Sequence, residues 1–170
     1  SVALAKTLGC NIHGGYSLNV TNTAAFEWYE QLGLTDLELS YELTLKQSAK
    51  IGGSLPRGLL LYGRLPLMLC RNCPGKNDGK NCKNCNGTTW LTDRKNIKFP
   101  VQCDYGCSEV LNAVPLTMSD RISDISGMNF GILRFTVENS VEIEETFQQF
   151  LYQKAPLGYY TRGLYEKGIK

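Results

Sequence analysis

Apolar and polar positions follow two periods along this chain, and the changes of period mark out its elements. Ile12 to Val20 predicts a buried strand, and Asn22 or Thr23 can cap the helix after it, where Phe26, Tyr29 and Leu32 recur at helical spacing up to Gly33. Asp36 to Ser40 predicts a short strand with Leu37 and Leu39 alternating. Thr44 then caps a second helix, Leu45 to Ile51, which Gly52-Gly53 ends. Leu59 to Tyr62, continuously apolar between Gly58 and Gly63, reads as a strand buried on both faces, as parallel-sheet strands are. From Pro66 to about Met128 this rhythm is lost. A cysteine-rich stretch leads there into Thr88 to Thr92 and Lys98 to Gln102, two hairpin strands turning at Lys95-Asn96. The rhythm resumes with a strand from Gly131 to Val137 and a helix to about Lys154. Ser140 serves as its N-cap, and Glu142 and Glu144 lie in the first turn, where the helix dipole favours acidic groups.

Strands separated by helices at this spacing predict an α/β domain over residues 1–170 with a parallel sheet, doubly wound or barrel, and a cysteine-rich insertion at 66–128. Only about four parallel strands are visible, too few to close an eight-stranded barrel. A half barrel would leave open edges for its remaining half or for a second chain to cover. The chain starts at Ser1, inside what reads as the end of a helix, which suggests a C-terminal piece of something longer.

At 170 residues the chain can bury roughly 70% of its unfolded surface, so it needs no covalent staples. No apolar run approaches a membrane span and no signal peptide is visible, which points to a cytoplasmic protein without a membrane partner. The net charge of +2 is too small to imply a polyanion partner for the whole chain. Its distribution is uneven. Seven basic residues (Arg71, Lys76, Lys80, Lys83, Arg94, Lys95, Lys98) face only Asp78 and Asp93 in the same stretch, a local excess of +5 that leaves −3 elsewhere. Such a lobe suits RNA or another anion, or is a solvated basic loop.

Six of the seven cysteines fall between positions 70 and 107, spaced Cys70-x2-Cys73-x8-Cys82-x2-Cys85-x17-Cys103-x3-Cys107. Two residues between cysteines let both thiolates address one ion from a tight turn, and Pro74, Gly75, Gly79 and Gly87 supply the loop conformations. Four thiolates from two segments can hold zinc or an iron–sulfur cluster, and ligand identity does not choose between them. An odd cysteine count without a secretory signal argues against a disulfide framework. Six candidates exceed four places. Cys70 ends an apolar run and reads as buried, Cys103 and Cys107 compete for the last place, and Cys10 reads as a small core residue.

Three further residues sit at strand ends, where α/β folds gather their chemistry: His13, Glu42 and Arg64. His13 is the sole histidine and a candidate general acid/base. No nucleophile elbow, His-Glu-x-x-His helix or phosphate-cradling loop is present, so these residues alone do not assemble a hydrolytic mechanism.

The segment Tyr62-Gly-Arg-Leu-Pro-Leu-Met68, followed by Cys73-Pro74, Leu91-x-Asp93-Arg94, Phe99-Pro100 and Leu111-Asn112-x-x-Pro115-Leu116, resembles the U-thirty-two peptidase family, the collagenase-like proteases. His13 to Asn22, Ser40-Tyr-Glu-Leu and Arg162-Gly163 are similar to the same family. The resemblance implies that this chain is the C-terminal half of a TIM-like barrel, about four parallel βα units with the cysteine insertion over the top. Matching in order, it also implies Cys73, Cys82, Cys85 and Cys107 as metal ligands. Several members carry a four-cysteine iron–sulfur cluster and act in oxygen-independent or prephenate-dependent hydroxylation of RNA or of quinone precursors.

Three functions follow as expectations. As a peptidase-family metal domain, the chain would need an open metal position or residues outside this stretch to activate water. As an RNA-modifying enzyme, it would use His13 and Arg64 to hold an anionic cosubstrate and the basic lobe to hold RNA phosphates. The third is a binding module folded by a structural zinc.

Overall fold

The structure, a computed structural model, describes residues 2–78, 87–104 and 106–168. In chain order these form α1 (Val2–Thr7), β1 (His13–Gly14), α2 (Thr23–Gln31), β2 (Asp36–Glu38), α3 (Leu45–Ser48), β3 (Arg57–Gly63) and β4 (Pro66–Cys70). Then follow β5 (Thr88–Thr92), β6 (Lys98–Asp104), β7 (Cys107–Leu111), β8 (Leu116–Thr117), β9 (Phe130–Arg134) and α4 (Ser140–Leu151). The chain divides into two compact units, one of Ser1–Leu61, Met118–Leu133 and Arg162–Lys170, the other of Tyr62–Thr117 and Arg134–Thr161.

In the first unit β1, β2 and β3 lie side by side and parallel, with His13 opposite Asp36, Gly14 opposite Leu37, and Glu38 opposite Gly58. Alternation along β2 sends Leu37 to one face and Asp36 and Glu38 to the other. The Leu37 face is filled. A methyl group on Gly14 would collide with the Leu37 side chain, and Phe26 of α2, fully buried, lies 4.3 Å beneath the Arg57 guanidinium. The Arg57 cation also donates to the Ile51 carbonyl, so its burial is compensated. Local chemistry sets the helix limits. Asn22 Oδ1 accepts from the Ala25 N–H at 2.9 Å to start α2, and Thr44 forms a capping box with Gln47 at α3.

In the second unit β4, β7, β6 and β5 form an antiparallel sheet in that order. The β5–β6 hairpin turns where Asn96 takes φ +61°, while Asp93 Oδ1 accepts the N–H groups of Lys95 and Ile97. Tyr62 and Gly63, the end of β3, pair antiparallel with β8. Asn139, not Ser140, is the N-cap of α4: its Oδ1 accepts from Val141 and Glu142 while Glu142 reaches back to the Asn139 N–H.

These elements correct the expected half of a TIM-like barrel. Ile12 to Val20 is not one strand, because β1 ends at Gly14, a 3₁₀ turn occupies Tyr16–Leu18, and Asn19 adopts φ +47°. α3 is a single turn rather than a helix to Ile51. After β3 the chain passes through Gly63 at φ +147°, where a side chain would meet the Arg134 carbonyl at 2.7 Å, and enters an antiparallel strand instead of a helix. With β8 also antiparallel to β3, the sheets are one mixed and one antiparallel, and repeated parallel βα barrel units are not formed among the described residues. No helix among them is long and apolar enough to cross a membrane.

Candidate functional site

Cys73 follows β4 and opens a 3₁₀ turn, Pro74–Asp78. Gly75 is required at this turn because a methyl group there would run into Thr89 of β5. The turn leaves the Cys73 sulfur within 3.6 Å of the Cys103 sulfur on β6, and Ser108 Oγ of β7 stands 3.2 Å from Cys103. Burial opposes ionisation of Cys73. Hydrogen bonds from Ser108, from the Cys103 thiol and from the backbone N–H groups of Gly75 and Lys76 outweigh it, and the thiol is held below its ordinary value.

The 3.6 Å separation has a chemical meaning. A disulfide joins its sulfurs at about 2.05 Å. Two thiolates on one tetrahedral ion, each bonded at about 2.3 Å, stand about 3.8 Å apart. The pair stands at the distance of a sulfur–sulfur hydrogen bond, which is close to that of two ligands of one ion, and its hydrogen-bond donors are of the kind that stabilise thiolates.

Strand register sorts the remaining cysteines. Ser108 lies opposite both Cys103 and Cys70, so these three side chains share one face of the sheet. Cys107, one residue before Ser108, projects to the other face and is exposed. The geometry thus joins Cys103, not Cys107, to Cys73. Cys82 and Cys85 lie outside the described residues, as do Lys80 and Lys83 of the basic lobe. Among the described residues no three His, Cys, Asp or Glu side chains gather as a metal-binding group.

Of the expected catalytic residues, His13 and Glu42 lie in the first unit and Arg64 in the second. His13 Nδ1 lies 2.6 Å from Asp36 Oδ2 in the first unit, a pairing set by the β1–β2 register. Glu42 is exposed beyond β2, its N–H donating to Ser40 Oγ. Arg64 belongs to the second unit, where three neighbours hold its guanidinium. Its Nε lies 3.5 Å from Glu138 and its Nη1 donates to the carbonyls of Asn112 and Ala113. Sequence reasoning passed over Asp36, Ser108 and the two amides on Cys73. The Asp36-x-Glu38 alternation was the visible signal for the first. Comparison with protein-family models, curated proteins and solved structures finds no match to this chain.

Proposed function

We propose that this chain is the metal-binding domain of a cytoplasmic protein related to the U-thirty-two peptidases, with Cys73 and Cys103 joined by Cys82 and Cys85 around one ion. The observation that supports this is the sulfur pair at 3.6 Å, with two backbone amides turned to Cys73. Zinc suits the pair best, because both sulfurs sit at a distance that a single ion spans, whereas a four-iron cluster spreads its thiolates over separate irons. Four thiolates close a tetrahedral site, so the ion's part is structural rather than to activate water. Anaerobic purification followed by elemental analysis and visible absorbance tests the reading. One zinc per chain without a visible band is expected, a coloured iron-containing protein replaces zinc by an iron–sulfur cluster, and metal-free protein overturns the proposal.

A second reading, RNA binding, draws on the exposed Arg94, Lys95 and Lys98 around the β5–β6 turn. Phosphate neutralisation releases counterions, so binding would fade from low to physiological salt. Charge reversal at these three positions that leaves binding unchanged removes it.

A further inference from the structure

A separate cavity of about 370 Å³ opens in the first unit on the face of β1 and β2 opposite Leu37. His13, Asp36, Glu38, Phe130 and Ile132 line it. Its volume lies in the range of small-molecule sites. Specific contacts fix His13, Glu38 and Phe130. Asp36 holds the imidazole through Nδ1, and Glu38, 7% exposed, accepts the Tyr16 N–H at 3.0 Å through one carboxylate oxygen. Phe130 lies against Gly58, where any side chain would collide with the ring, so an aromatic surface is built into the wall.

The chemistry of this lining is selective. Two carboxylates face the cavity and its described lining contains no lysine or arginine, so the local charge is negative whether His13 is neutral or protonated. Anions are disfavoured, including the cosubstrate expected beside His13. A metal ion is not indicated, because no three ligating side chains gather among the described residues. A carboxylate pair beside an aromatic ring suits an organic cation, whose charge meets the carboxylates while its apolar part lies on Phe130 and Ile132. We propose that the cavity formed by His13, Asp36, Glu38 and Phe130 binds a small organic cation of the alkylammonium class.

The sole histidine provides the probe, since one imidazole gives one set of ring resonances in a carbon–proton correlation spectrum. Titration of the full chain with n-butylammonium, butyrate and 1-butanol compares cation, anion and neutral body of one size. The expected result is a saturable shift of the His13 resonances with n-butylammonium, and binding of the other two at least fivefold weaker. Glu38→Gln keeps an oxygen for the Tyr16 N–H while removing the charge, and should weaken n-butylammonium at least fivefold. Equal affinity for butyrate or butanol, no saturable shift, or an unchanged affinity in folded Glu38→Gln overturns the proposal. If that variant does not fold, the three-ligand comparison on the unmodified chain decides alone.

Discussion

The Cys103 thiol donates to the Cys73 sulfur across 3.6 Å, joining the central strand β6 to the turn that follows β4. The two residues are 30 apart in sequence. Their meeting rests on the β4-β7-β6 order, on Gly75 letting the turn close against Thr89, and on Ser108 between the strands. The sulfur pair is therefore set by ordinary sheet packing.

Metal content should follow this geometry. Cys73→Ser and Cys103→Ser are each expected to lose the bound ion, while Cys107→Ser and Cys10→Ser retain it, measured as metal per chain by elemental analysis. Loss in Cys107→Ser with full retention in Cys103→Ser would show that the pair does not ligate.

The Cys73 thiol should also react at unusually low pH once metal is stripped by a chelator. Its hydrogen bonds favour the thiolate, so alkylation by iodoacetamide should reach half-maximal rate at a lower pH than for an unperturbed cysteine. A depressed folded value means that the thiolate's contribution to stability is complete above the unfolded thiol's value and is lost as pH falls through the folded one. Ser108→Ala should move the midpoint upward, read by mass spectrometry of the Cys73 peptide.

What sequence could show of this fold was local. Asn22 and Thr44 cap helices because a side-chain oxygen three residues before a free N–H needs no distant partner, and the β5–β6 turn at Asn96 is likewise self-contained. Strand direction was not legible, since it depends on how the chain leaves Gly63, and the run from Ile12 looked continuous although the 3₁₀ turn at Tyr16–Leu18 and Asn19 interrupt it. The choice between Cys103 and Cys107 turns on which face of a strand each occupies. That is fixed only by register against Ser108, and matching by order could not supply it.

Arg64 should prove a stability residue rather than a catalytic one. Its partner Glu138 has only 4% of its side chain exposed and also accepts the N–H groups of Thr136 and Val137. Arg64→Ala strands that carboxylate without its cation, which typically costs about 3–5 kcal/mol for a buried pair. Chemical denaturation should show a loss of this order. A change below about 1 kcal/mol would mean that the pair is effectively solvated.

Alkaline pH should weaken the second unit through Tyr62. Burial, reinforced by the Glu138 carboxylate, pushes its hydroxyl up to about 12, against about 10 in an unfolded chain. The folded form therefore keeps a proton that the unfolded form releases. Stability is complete below pH 10 and falls as pH climbs from about 10 through about 12. Tyr165 in the first unit contributes in the same direction, raised by burial and by Glu38 while its hydroxyl donates to the Leu60 carbonyl at 2.7 Å. Tyr62→Phe removes one ionising group but keeps the ring against Phe135, whose centroid lies 5.2 Å away. Urea unfolding at pH 8, 10 and 11 should then show a shallower alkaline decline for Tyr62→Phe than for the unsubstituted chain, and identical slopes would place the Tyr62 hydroxyl in water.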